Sequence, residues 1–273
     1  MRLSALSDKA TISQNLGDFD TAQEIYRIVI PLAEAVYGPD HSKLALLANN
    51  SAALAYRKGQ YSEALSLFKK AIAVNRAFYG VDNTQVALGL YNSGVLLLRM
   101  GRDEEALKVL EESLRARNEF SGEDHLTTWQ SRQKIAEAYL GLGRIQDAKP
   151  ILEQCAHFFE QTYGRNHIRT QFVLLEQARL YALQGDWNRA RIIAEECLAF
   201  FSKRKPSISQ AMARTFLGYA TCQLGDLKSG LNILKTAHDE FQALNQTGDP
   251  RLFLISKLDE IHSSDMQSRI QEK

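Results

Sequence analysis

Residues 44–64 read LALLANNSAALAYRKGQYSEA, and the glycine near the end of this stretch decides the fold. Apolar and small residues recur every three or four positions up to Leu54, which is helical spacing, and a second, longer pattern of the same kind runs from Tyr61 to Tyr79. Gly59 stands between them, where a tight turn needs the left-handed conformation that a Cβ would strain. Outward from this stretch the same mark returns. Gly17, Gly59, Gly101, Gly143 and Gly185 are 42 residues apart, with Gly225 following 40 after the last. Five residues beyond each lies a small residue, in order Ala22, Ala64, Ala106, Ala148, Ala190 and Gly230. A fixed period of this size means that one helix–turn–helix unit is stacked on copies of itself.

Both ends of the second helix are punctuated. Tyr37-Gly38, Tyr79-Gly80, Ser121-Gly122 and Tyr163-Gly164 mark its close, and Asp40, Asp82, Asp124 and Asn166 are residues suited to begin the next helix. Small residues also pair at an offset of twelve: Ala10 with Ala22, Ala52 with Ala64, Gly94 with Ala106, Ala136 with Ala148, Ala178 with Ala190, Gly218 with Gly230. Such pairs let two antiparallel helices approach toward the short end of the usual 8 to 10 Å separation. Alternating β-branched runs are nearly missing, which argues against a sheet. Pro150 falls in the first turns of a second helix, whereas Pro31 falls mid-helix and is expected to bend it.

The pattern resembles tetratricopeptide repeats. The 42-residue period with Tyr-Gly-x-Asp-His is similar to the variety found in kinesin light chains and many bacterial proteins, and the likeness runs from about Leu3 to Phe241. It implies an all-α fold, a right-handed superhelical solenoid of about six antiparallel helix pairs. The repeats fall at about 3–41, 42–83, 84–125, 126–167, 168–206 and 207–241. Repeat six departs from the pattern: it is short, it has Gly230 where alanine is usual, and Lys203-Arg204-Lys205-Pro206 replaces the Tyr-Gly turn before it. Asp249-Pro250 reads as the cap and first residue of a final helix, 249–262, with Leu252, Ile255, Leu258 and Ile261 on one side; a polar tail, 263–273, follows.

Composition narrows the work such an array can do. Of 273 residues 45% are hydrophobic and 24% charged, and 33 basic against 32 acidic side chains give a net charge of +1. A chain so balanced offers no broad attraction to nucleic acid or to anionic lipid. The longest apolar runs, such as Val95 to Leu98, fall far short of the ~20 residues of a membrane span, and no hydrophobic signal core opens the chain. Three cysteines without metal spacing point to a reducing, cytoplasmic setting, with Cys155 and Cys197 as small buried residues. His41, His125 and His167 recur with the repeat, so they are read as loop caps too far apart to share a metal. No phosphate loop, serine elbow or Cys-x-x-Cys is present. The expectation is a binding protein: not an enzyme, with no metal and no cofactor.

The first helix of each repeat should present one side inward. In repeat two, Ala48, Ser51, Ala52 and Ala55 pack, while Leu46, Asn49, Asn50, Ala53, Tyr56 and Arg57 point the other way. Their counterparts include Tyr91, Asn92, Leu98 and Arg99 in repeat three, Lys134 and Glu137 in repeat four, Phe172 and Leu175 in repeat five, and Phe216 and Tyr219 in repeat six. The candidate peptide-binding residues are Asn49, Asn50, Tyr56, Arg57, Tyr91, Asn92, Leu98, Arg99 and Lys134. An asparagine amide offers a donor and an acceptor to a peptide unit whatever its side chain. The resemblance implies that Asn50 and Asn92 hold ligand main chain, while Arg57 and Arg99 suit a carboxylate. Three functions stay open: a scaffold or adaptor binding an extended peptide of another protein; a peptide-gated regulator acting through a partner, since no effector module precedes the repeats; and an assembly factor using its outer face.

Overall fold

Every glycine that the period marks sits at a helix boundary. The computed structural model describes residues 2–80 and 83–244, and among them twelve α-helices and no strand. They are α1 Arg2–Leu16, α2 Phe19–Tyr37, α3 Ser42–Arg57, α4 Tyr61–Tyr79, α5 Thr84–Arg99, α6 Asp103–Ser121, α7 Leu126–Gly141, α8 Ile145–Tyr163, α9 Ile168–Leu183, α10 Trp187–Phe201, α11 Ile208–Gln223 and α12 Leu227–Ala243. Odd-numbered helices are the first of each pair. At the turn after α3, Gly59 has φ +75° and the Gln60 N–H reaches back to the Ala55 carbonyl at 2.9 Å, closing the helix with a six-to-one bond. The segments proposed as a terminal helix, 249–262, and tail, 263–273, lie outside the described residues.

The described residues form two compact units, with the boundary in sequence after Ala138 inside α7. In the first unit α1 packs on α2, α3 on α4 and α5 on α6, and each pair joins the next through α2 with α3 and α4 with α5. Its core includes Ala10, Ala22, Tyr26, Val29, Leu44 and Leu54. In the second unit α9 packs on α10 and α11 on α12, around Leu174, Ala178, Cys197, Phe201, Phe216 and Phe241. Leu44, Leu54, Leu96, Leu110, Leu152 and Leu180 are almost completely buried, each contributing about 1.5–3 kcal/mol by leaving water. All the small twelve-offset residues among these helices with a measurable side chain, Ala10, Ala22, Ala52, Ala64, Ala106, Ala136, Ala148, Ala178 and Ala190, are 0% exposed.

Four local expectations change. First, the helix-starting residue is one place later than Asp40, Asp124 and Asn166. His41 Nδ1 accepts from the Lys43 N–H at 3.2 Å, His125 from Thr127 and His167 from Arg169 at 3.3 Å, while Asn83 caps α5 and Ser207 caps α11. The side chain two residues before a free N–H is the one that reaches it. Second, Pro150 is the sixth residue of α8, past the turn in which a missing N–H is harmless. Third, Gly230 is glycine because of its neighbours. A Cβ there would stand 2.2 Å from Cys222 Sγ and 2.8 Å from the Gly218 carbonyl oxygen, so the sulfur fills the space an alanine methyl takes elsewhere. Fourth, the inner row closes in the second unit: Leu175, Glu176, Arg179, Met212, Thr215, Phe216 and Tyr219 are buried.

Candidate functional site

The first helices of the first unit keep a partly open row of polar side chains. Asn49, Asn50 and Tyr56 on α3, Tyr91, Asn92 and Arg99 on α5 and Lys134 on α7 are half-buried, and Arg57 is exposed. Leu98 departs from this row. It is 7% exposed and belongs to the packed side of α5, so it offers no anchor to a ligand. The rotation that placed it inward is one residue too generous, because the last turn of α5 lies against the start of α6.

Neighbouring first helices are joined at a constant interval. Arg99 Nε donates to Tyr56 Oη at 3.0 Å, Asn92 Nδ2 to Asn49 Oδ1 at 3.4 Å and Arg57 Nη1 to the Gln14 carbonyl at 3.5 Å. Each pair is separated by 43 residues, one repeat and one residue more. Asn92 therefore faces Asn49 and not its own counterpart Asn50, which instead bonds the buried phenol of Tyr26. Burial pushes the Tyr26 phenol up from its ordinary pKa, and its bonds with Thr11 and Asn50 act the other way. The Asn92 bond uses one of two amide N–H donors, and at 3.4 Å it is long enough to be exchanged for a better acceptor.

Two further groups bear on the row. The Arg117 guanidinium of α6 lies 4.2 Å from the Tyr91 ring centroid and is itself buried, with its pKa lowered by loss of solvent. Lys134 Nζ pairs with Glu137 Oε2 at 2.5 Å, so its charge is already balanced by the adjacent turn of α7. Beside the row, Leu46 and Leu88 are 54% and 40% exposed, giving apolar surface next to hydrogen-bonding groups. The sequence reading missed both the 43-residue facing and the insertion of Arg117; comparing each polar residue with the one 43 positions on would have found the first.

Other chemistry is sparse among the described residues. No group of three or more His, Cys, Asp or Glu side chains is placed to hold a metal ion, and no helix is long and apolar enough to cross a membrane. Cys155, Cys197 and Cys222 are buried thiols outside any disulfide, and burial pushes the Cys197 thiol up to about 12.

Among solved structures, the apo form of RapI shares the fold at a TM-score of 0.78, with 18% identity over 97% of this chain and 92% of that one. A Podosopora anserina putative kinesin light chain with nearly identical repeats gives a TM-score of 0.61, with 21% identity over 76% of this chain and 98% of that one. The Rap conjugation gene regulator of the plasmid pLS20, solved in complex with the Phr* peptide, gives 0.59, with 12% identity over 75% and 54%. No curated protein matches in sequence. The tetratricopeptide repeat family model matches residues 1–77, 85–161 and 134–203, most of the chain. With its glycine-closed helix pairs and its period, the chain belongs to the tetratricopeptide repeat family.

Proposed function

We propose that this protein is an interaction scaffold whose first unit binds an extended peptide segment of a partner protein along α3, α5 and α7. The observation that carries the reading is the half-buried row Asn49, Asn50, Tyr56, Tyr91, Asn92 and Arg99 beside exposed Leu46 and Leu88. Amides can hold peptide main chain in either polarity, and apolar surface beside them supplies affinity by burial. Arg57 is the open guanidinium for a ligand carboxylate, and Lys134, balanced by Glu137, contributes position more than charge. A structural relative solved with the Phr* peptide is consistent with this use of the fold. The work proposed is binding in a cytoplasmic setting, without catalysis, cofactor or metal; the balanced charge of +1 argues against nucleic acid.

The test is capture of partners from native extract by wild-type protein and by the Asn50→Ala/Asn92→Ala variant. The variant should keep its helical content and melt within a few degrees of wild type, while partner recovery falls at least tenfold. Unchanged recovery would remove the row from the function. A second reading, assembly through an outer face, draws on α2, where Ile28, Leu32 and Val36 lie along one side and are 57%, 46% and 62% exposed. Concentration-dependent self-association in sedimentation, lost in Leu32→Lys, would favour it.

A further inference from the structure

We infer that a cavity between α1, α2 and α3 is a socket for one aromatic side chain of a partner peptide. Its volume is about 180 Å³. Buried Val29, Ala33 and Leu47 give it apolar lining, and Ser4, Ser7, Asp8 and Lys43 add hydrogen-bonding groups. An apolar cavity of about 150 Å³ holds benzene, so there is room here for a phenyl ring.

The cavity is the place of a side chain that every later repeat supplies and this one lacks. The counterparts of Ala33 at the repeat interval are Asn75, Arg117, Phe159, Phe201 and Phe241, all at most 6% exposed. Two of them show where that side chain goes. Arg117 lies over Tyr91 and donates to the Thr127 carbonyl at 2.6 Å and to Ser131 Oγ at 3.0 Å. Tyr91, Thr127 and Ser131 stand two repeats on from Ser7, Lys43 and Leu47, which line the cavity. Phe201 stacks on Phe172 with ring centroids 5.8 Å apart, and Phe172 is the counterpart of Ser4. In repeat one, α2 brings only the Ala33 methyl at this position, between Val29 and Tyr37, while α1 offers Ser7 where repeat three carries Tyr91 and Ser4 where repeat five carries Phe172. Two truncations on two helices coincide, and the space they leave is open.

The array itself names what fits. Three of its five later repeats fill this position with phenylalanine. The surroundings name the carrier. Lys43 Nζ is held 4.5 Å above the Tyr37 ring and donates to Tyr37 Oη at 3.3 Å, which leaves N–H groups for a peptide carbonyl. Asp8 and the two serine hydroxyls accept from peptide N–H groups on the α1 side. Room for one side chain, flanked by donors and acceptors, suits a residue within a peptide.

The test uses the whole chain with N-acetyl-phenylalanine amide as probe, followed by saturation-transfer NMR and by amide shifts in α1 to α3. The expected result is millimolar binding that N-acetyl-alanine amide matches at least tenfold less well. Ala33→Phe, which writes the side chain of repeats four to six into repeat one, should keep the fold, raise the melting temperature and weaken the probe at least tenfold. Ala33→Leu serves if the larger substitution fails to fold. Wild-type protein that ignores the probe, equal binding of the alanine compound, or undiminished binding by a folded Ala33 variant would each overturn the inference. The Asn50→Ala/Asn92→Ala variant should bind the probe as wild type does, so failure of the peptide row and failure of the socket are separately visible.

Discussion

Replacing Arg117 measures how much the filling side chain matters to the repeats that have one. Arg117 is 6% exposed, bonds the Thr127 carbonyl and the Ser131 hydroxyl, and stacks on Tyr91. Bonds from a charged donor contribute about 1.5–3 kcal/mol each and a cation over a ring about 0.5–2 kcal/mol. Against these stands the loss of solvent around the guanidinium, visible as its lowered pKa. Arg117→Ala removes the contacts and opens a cavity, and a net loss of about 2–4 kcal/mol follows, within the range of large-to-small changes in a core. Arg117→Phe loses the two bonds but restores apolar filling as in repeats four to six, so its cost should be about 1 kcal/mol. Repeat arrays depart from all-or-none unfolding, so urea melts by circular dichroism should be paired with hydrogen exchange of the α5 to α7 amides. Arg117→Ala within about 0.5 kcal/mol of wild type, the ordinary scatter of surface changes, would refute the argument. So would Arg117→Phe as damaging as alanine. If the volume account holds, Arg117→Ala also gains weak binding of the phenylalanine probe.

Gly230→Ala should destabilise the second unit by about 1–3 kcal/mol, because its methyl meets both a sulfur and backbone within 3 Å; an unshifted urea midpoint would show that α11 and α12 part easily. The three thiols should resist a disulfide-exchange reagent at pH 8 until urea unfolds the chain, since all are buried and Cys197 is held near 12. Stoichiometric labelling of native protein within minutes would contradict that burial.

The helix pairs were legible because their signals are local. A glycine that must adopt positive φ, a small residue where helices cross, and apolar spacing of three and four each depend on the residue's own turn. Tyr37, Tyr79, Ser121 and Tyr163 end the second helices as read. What eluded the sequence depends on how far one helix slides past another. Asn92 reaches Asn49 because facing positions differ by 43, and a 42-residue alignment pairs it with Asn50 instead. The same blindness hid the column Ala33, Asn75, Arg117, Phe159, Phe201 on the second helices: only the neighbouring helices reveal that its side chains enter a recurrent space. Phe216, expected on a free wall, is buried in one cluster with Phe201 and Phe241 of this column.

The histidine caps carry a consequence of their own. An imidazole nitrogen that accepts a backbone N–H must present its lone pair, so the caps of α3, α7 and α9 fix the ring orientation of His41, His125 and His167 with Nδ1 turned to the helix start. At α5 and α11 the same place is held by Asn83 and Ser207, whose side-chain oxygens accept from the Gln85 and Gln210 N–H groups. From α3 to α11 every first helix is thus closed at its start by a side chain of the loop before it, and in three of the five that side chain is a ring.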